Sequence, residues 1–118
     1  MFVNLSNHSS NNWSSKQIEE AKRYGDIYDI SFPVVDPNYT KEDISKLALS
    51  YLDKVLALKP SCVMCQGEFC FTYEMVSLLK KENIKVVAAC SERKTIERIV
   101  DNKSEKTSVF EFVKFREY

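Results

Sequence analysis

The segment Val63–Cys70 constrains the fold more than any other part of the chain. It reads Val-Met-Cys-Gln-Gly-Glu-Phe-Cys, an apolar run that ends in a polar turn and leads into a helical pattern. Gly67 is one of only two glycines in 118 residues. A glycine between a strand and a helix permits a positive φ and lets another molecule approach the backbone closely. Because ligands bind at the carboxyl ends of strands in open parallel sheets, this junction is the predicted centre of a site.

Apolar runs and capped helices alternate along the chain. A helix that starts at a Ser14-x-x-Gln17 capping box ends near Tyr24, before Gly25, and a second helix starts at a Thr40-x-x-Asp43 capping box and ends before Pro60. Alternating strands and helices of this kind predict a three-layer α/β fold with a mostly parallel sheet. The predicted strands are Phe2–Leu5, Asp26–Ile30, Cys62–Cys65 and Ile84–Ala89. The third predicted helix is Phe71–Glu82.

Helical spacing also predicts which side chains face the core. On the second helix these are Ile44, Leu47, Ala48, Tyr51, Leu52, Val55 and Leu56. On the third helix the pattern predicts Tyr73, Val76, Leu79 or their neighbours.

The C-terminal third of the chain allows two interpretations. Thr95–Val100 fits a helical face and also fits an alternating strand, whereas Val109–Phe115 is rich in Val and Phe and is typical of a strand. Because β-branched residues favour strands, we predict a C-terminal β-hairpin with a polar turn at Asp101–Glu105. The whole chain, residues 1–118, is predicted to form one domain.

The composition excludes several classes of function. Seventeen Lys and Arg residues balance seventeen Asp and Glu residues, so long nucleic acids are not expected partners. The N-terminus has no signal-peptide pattern and no apolar run is long enough to cross a bilayer, which predicts a cytoplasmic protein with no membrane partner. The sequence contains neither GxGxxG nor GxxxxGK[ST], so these dinucleotide and P-loop signatures are absent.

Four cysteines raise the question of a metal site. Cys62 and Cys65 have the spacing of a metal-binding pair, with Cys70 and Cys90 elsewhere in the chain. In a strand, positions three apart face opposite sides of the sheet and cannot clamp one ion. We therefore expect buried free thiols and no metal.

Polar side chains follow all four predicted parallel strands, where they would form one rim. Helix N-termini at this rim favour anions, Arg93 offers a forked cation, and His8 is the only histidine. A phosphate-containing ligand fits this set. The simpler interpretations are that His8 is a solvated loop residue and that Glu92 and Arg93 form a surface ion pair. The rim residues are Asn7, His8, Ser9, Asp36, Gln66, Gly67, Glu68, Ser91, Glu92 and Arg93.

Four short motifs resemble the small stand-alone ring nucleases of CRISPR defence, which are related to CARF (CRISPR-associated Rossmann-fold) domains. The motifs are spread along the chain in the family's order and read Ser6-Asn7-His8, Gln66-Gly67-Glu68-Phe69-x-x-Thr72-Tyr73, Ala89-Cys90-Ser91-x-Arg93 and Phe115-Arg116-x-Tyr118. The resemblance implies a Rossmann-like fold and a homodimer that binds a cyclic oligoadenylate across its two-fold axis. It also implies that the ring is linearised without a metal or other cofactor, with a ribose 2′-hydroxyl as the nucleophile.

The chemistry of a 2′-hydroxyl attack suggests roles for individual residues. His8 would transfer a proton, while Ser91 and Arg93 would hold the phosphate and its developing charge. Cys90-Ser91 stands where the family has a Thr-Thr pair, which keeps open a sensor that binds the ring without cutting it. An interaction module whose Phe-rich C-terminal strand mediates dimerisation also stays open. The implied ligand-binding residues are Ser6, Asn7, Ser9, Gln66, Gly67, Glu68 and Thr72.

Overall fold

A five-stranded sheet flanked by three helices makes up the computed structural model, which describes residues 1–118. In chain order the elements are β1 (Phe2–Ser6), α1 (Ser15–Lys22), β2 (Ile27–Ser31), α2 (Lys41–Ala57), β3 (Cys62–Gln66), α3 (Phe69–Lys81), β4 (Lys85–Val100) and β5 (Lys103–Glu117). The sheet order is β2-β1-β3-β4-β5, with β1 to β4 parallel and β5 antiparallel to β4. The predicted α/β class, mostly parallel sheet and C-terminal hairpin are confirmed.

The sheet buries a separate apolar cluster on each face. One cluster joins β1 and β3 to α2 and α3, and the other joins them to Ala21 of α1 and to Trp13. Cys65 belongs to the first cluster and Cys62 to the second, so the two thiols lie on opposite faces, as predicted. Burial raises the pKa of Cys65 to about 12 and that of Cys62 to about 11. None of the helices combines the length and the apolar character that crossing a bilayer requires.

The helix caps follow the sequence signals with two differences. At α2 the Thr40 and Asp43 side chains each accept a hydrogen bond from the other residue's backbone N–H, at 3.1 and 2.9 Å. At α1 only half of the box forms, because Ser14 Oγ accepts from the Gln17 N–H while the Gln17 side chain turns towards Met64. After α1, Gly25 takes a φ of +120°, which only glycine adopts without strain.

The inward face of α3 differs from the prediction at one residue. The helix begins at Phe69, before the predicted Phe71, and buries Phe71, Met75 and Leu79. Tyr73 is 74% exposed, so its placement in the core was wrong. On α2 the predicted face is confirmed, with Ile44, Ala48, Leu52 and Val55 buried.

Strand β4 is much longer than the sequence indicated. It continues through Ser91, Glu92 and Arg93, with a shift in the β5 register between Cys90 and Ser91, and pairs with β5 as far as Val100. The prediction that these three residues lie in a loop was therefore wrong, whereas the choice of a hairpin over a helix for residues 95–100 is confirmed. Asp101 and Asn102 form the turn with φ values of 51° and 61°, typical of a two-residue type I′ hairpin. We call residues 91–111, all exposed, the outer ribbon.

Candidate functional site

The strand order creates an opening at the carboxyl end of the sheet. Strand β2 lies on one side of β1 and β3 lies on the other, so the direction of the chain reverses at β1. In open α/β sheets, ligands bind in the crevice where this reversal occurs. An open cavity of about 820 Å³, here called the switch-point cleft, lies there. Its lining consists of Ser6, Asn7, His8, Asn12, Trp13, Ser14, Gln17, Met64, Gln66, Gly67, Ala89, Ser91, Phe110 and Phe112.

The structure brings together half of the predicted site residues. Ser6, Asn7, His8, Gln66, Gly67 and Ser91 all line the switch-point cleft. The other predicted residues lie outside its lining, namely Ser9, Asp36, Glu68, Thr72, Glu92 and Arg93.

Buried polar side chains of β1 fix the main chain of His8. Asn4 Nδ2 donates to the His8 carbonyl at 2.8 Å, and the His8 N–H donates to Ser6 Oγ at 3.2 Å. Ser6 Oγ in turn donates to Asn4 Oδ1 at 2.7 Å. The imidazole itself makes no hydrogen bond, and His8 is exposed where it borders both the cleft and a second, smaller cavity. The Ser6 hydroxyl is thus engaged in holding the loop that carries His8.

Asp29 of β2 anchors the same loop from the neighbouring strand. Its carboxylate accepts from Asn4 Nδ2 at 3.1 Å and from the backbone N–H of Ser10 at 3.0 Å, with Ser9 and Ser10 hydroxyls as further donors. Burial by itself would raise the pKa of Asp29, but these hydrogen bonds, led by that from Asn4, hold it below its ordinary value. The second cavity, of about 300 Å³, is lined by Asp29 and also by His8. Sequence reasoning missed this anchor, although Asn4 interrupts the apolar run of β1.

Gln66 closes a gap in the sheet. Backbone pairing between β3 and β4 stops at Met64 and Val87. Beyond that pair the Gln66 side chain accepts from the Ala89 N–H at 2.6 Å and donates to the Ala89 carbonyl at 3.4 Å. The Gln66 amide therefore takes the place of a β3 backbone partner where the two strands diverge. Both of its polar atoms are hydrogen-bonded to Ala89 and are not free to bind a ligand.

Gly67 is needed for packing and not for an unusual backbone. Its φ is not positive, so that part of the prediction was wrong. A Cβ added at this position would lie 2.4 Å from Cζ of Phe32. The close approach predicted for a ligand is made instead by this aromatic ring, which packs edge-to-face on Phe71.

Glu68 occupies the N-terminus of α3. Its carboxylate accepts from the backbone N–H of Phe71 at 2.7 Å and of Cys70 at 3.0 Å, and the Phe71 bond chiefly lowers its pKa. These N–H groups are therefore not open to a phosphate. Glu68 makes no hydrogen bond or ion pair with His8 or Arg93. Thr72, one turn further along α3, buries its hydroxyl oxygen with no hydrogen-bond partner.

The outer ribbon carries Ser91 into the cleft and leaves Arg93 beside it. Ser91 pairs with Phe112 and Arg93 with Phe110, so all four side chains share one ribbon face. The Arg93 guanidinium donates only to Ser108 Oγ, at 3.0 and 3.2 Å. No Lys, Arg, Asp or Glu lines the cleft, which makes His8 its single titratable side chain.

Comparison with known proteins places the chain in one family. No curated protein and no solved structure matches it. A family model described as the uncharacterized protein MJ1673 family matches residues 1–116. Because the match spans nearly the whole chain, the protein belongs to the MJ1673 family.

Proposed function

We propose that the protein is a Rossmann-like ring nuclease that binds a cyclic oligoadenylate and linearises it without a metal. The observation that carries the proposal is that His8 and Ser91, two residues of the ring-nuclease motifs far apart in sequence, both line the switch-point cleft. The motif residue Gln66 lies in the same lining. The proposed setting is the cytoplasm.

The reaction needs few chemical groups from the protein. A ribose 2′-hydroxyl attacks the adjacent phosphorus, the bond to the 5′-oxygen breaks, and a 2′,3′-cyclic phosphate and a 5′-hydroxyl result. The protein must hold nucleophile, phosphorus and leaving oxygen in line, and such positioning supplies much of the rate. His8 accepts the proton of the 2′-hydroxyl or donates one to the 5′-oxygen, which its unpaired imidazole permits.

Phosphate contacts would come from the ribbon side of the cleft. The Ser91 hydroxyl donates to a phosphate oxygen from the lining itself. Arg93 lies two residues beyond Ser91 on β4 and on the same face of the ribbon. Its guanidinium is hydrogen-bonded only to the neutral Ser108 hydroxyl, so rotation of the side chain would exchange Ser108 for a phosphate. A forked guanidinium suits that contact, because it offers parallel N–H donors to two oxygens.

A homodimer is part of the proposal. The cleft is open to one side, and a ring with several phosphates needs more donors than one copy of this cleft provides. Exposed apolar side chains at the outer end of the ribbon, Ile96, Ile99 and Val100, supply a surface for the second copy.

A second candidate function is a sensor that binds the ring without cutting it. One observation favours it: the cleft lining contains one imidazole and no cationic side chain to offset the charge of a transition state. Aromatic and amide groups of this kind suit binding, whereas phosphoryl transfer gains most from fixed positive charge.

Incubation of the purified protein with cyclic tetra-adenylate and cyclic hexa-adenylate in the presence of EDTA distinguishes these functions. Metal-independent appearance of linear products supports the ring nuclease. Binding of an intact ring supports the sensor, and neither binding nor cutting leaves the interaction module. The His8→Ala variant purified in parallel is the control for contaminating nucleases, because a contaminant would cut equally well in both preparations.

A further inference from the structure

We propose that the switch-point cleft contains an adenine subsite in which Phe110 stacks on the base and Gln17 reads its edge. This inference rests on the proposed function and extends it to residues outside the family motifs. Both side chains line the cleft, one from β5 and the other from α1.

Phe110 has the exposure of a stacking platform. The residue is 75% exposed although it borders the cleft, whereas Phe112, the neighbouring aromatic on the same ribbon face, is buried. An exposed phenyl ring at the mouth of a cavity has no packing role in the isolated chain. Stacking of a base on such a ring is a common way to bind single-stranded nucleotides. Arg93 lies directly across the ribbon from Phe110, where a phosphate attached to the stacked nucleotide would pass.

Gln17 has an amide that the fold does not use. The cleft has four carboxamide residues, and Gln66 already pairs with the Ala89 backbone. The Gln17 side chain has only a 3.9 Å contact from Nε2 to Met64 Sδ, since Ser14 caps the helix through the Gln17 backbone. A free carboxamide presents one acceptor and one donor side by side. That pattern matches the N6 amino group and N7 of adenine.

The neutral lining favours a base over other occupants of the same cleft. A free phosphate would leave the aromatic walls unused, and an acidic or basic peptide would meet no opposite charge. A planar heteroaromatic group with adjacent donor and acceptor atoms uses both the aromatic and the amide components. Adenine in a cyclic or linear oligoadenylate is such a group.

Calorimetric titration with cyclic tetra-adenylate and the corresponding inosinate ring tests the subsite. The inosinate has an oxygen in place of the amino group, so the hydrogen bond that the Gln17 side chain accepts from that amino group is lost. We expect wild-type protein to prefer the adenylate by roughly 5- to 140-fold, and Gln17→Leu to bring the two affinities together. Phe110→Ala should weaken both ligands by roughly 5- to 140-fold. Phe110→Trp should retain binding.

Controls separate failure of the subsite from failure of the function. Tyr28→Ala removes an exposed aromatic from β2, outside the cleft, and should bind as wild type does. Trp13, the only tryptophan, lines the cleft and should change its emission when the ring binds. Wild-type affinity and base preference in both Gln17→Leu and Phe110→Ala would overturn the subsite while the function stands. Absence of any adenylate binding by the wild type would overturn both.

Discussion

His8 and Arg93 are held differently, and this difference predicts different losses. The His8 main chain is fixed by Asn4 and Ser6 while its imidazole is free, whereas Arg93 has a single neutral partner. His8→Ala should leave ring binding nearly unchanged and slow single-turnover cleavage about 10²- to 10⁴-fold. Arg93→Ala should weaken binding and cleavage together, because a phosphate contact acts in the ground state and the transition state. Equal effects of both variants on binding would contradict these roles.

The packing of Gly67 against Phe32 makes a stability prediction. Gly67→Ala places a methyl group 2.4 Å from the Phe32 ring, and overpacking of this kind costs about 1–3 kcal/mol. Phe32→Ala removes the obstacle, so the double variant should lose less stability than the sum of the two single variants. Urea unfolding of all four proteins measures this coupling. Strictly additive losses would show that the ring moves aside freely.

Asp29 predicts how stability depends on pH. Its folded-state pKa lies below the ordinary 3.8, so its contribution is fully present above pH 3.8 and is lost as the pH falls through the folded-state value. Asp29→Asn should have a lower melting temperature than wild type at about pH 7 and should differ little from it at about pH 2. Asp26→Asn is the matched control, since that carboxylate accepts no hydrogen bond, and it should melt as wild type does. A loss in Asp29→Asn that is independent of pH would contradict the charge-based role.

At the scale of elements, α2 offers a test with an internal control. Leu52 is 7% exposed within the apolar cluster between α2 and β1, whereas Leu49 on the same helix is 51% exposed. Leu52→Ala should lower the free energy of unfolding by about 2–5 kcal/mol, because it leaves a cavity in that cluster. Leu49→Ala should change it by less than about 0.5 kcal/mol. Similar losses in both variants, measured by chemical denaturation, would mean that the helix faces were misassigned.

The elements also show where sequence reasoning succeeds and where it stops. Helical spacing on α2 and the Thr40 cap are local signals, and both predictions are confirmed. The length of β4 depends on pairing with a strand some twenty residues later, which no local pattern around Cys90 reveals. The role of Gly67 depends in the same way on Phe32, which is distant in sequence. Half of the cleft was predictable because parallel strands end together, while Gln17 and Phe110 enter it from other elements.

At the scale of the whole molecule, the outer ribbon stands out as a part without a core. It extends beyond the other strands, since β4 pairs with β3 only through Val87, and every residue from 91 to 111 is exposed. A two-stranded ribbon alone is marginally stable in water. Its exposed apolar residues and its open strand edges therefore predict a covering partner, and a second copy of the chain fits the proposed homodimer.

Shortening the ribbon tests the dimer directly. Ile96 and Thr107 are paired, so residues 97–106 can be replaced by Asn-Gly, which closes the hairpin with the same two-residue turn. We expect light scattering at micromolar concentration to give a dimer mass for the wild type and a monomer mass for the shortened chain. The deletion removes Ile99 but keeps Arg93, Phe110 and the whole switch-point cleft. Circular dichroism can therefore establish that the fold persists, and calorimetry can establish that each cleft still binds an adenine base. A monomeric wild type would contradict the homodimer, and a shortened chain that still dimerises would place the interface on another surface.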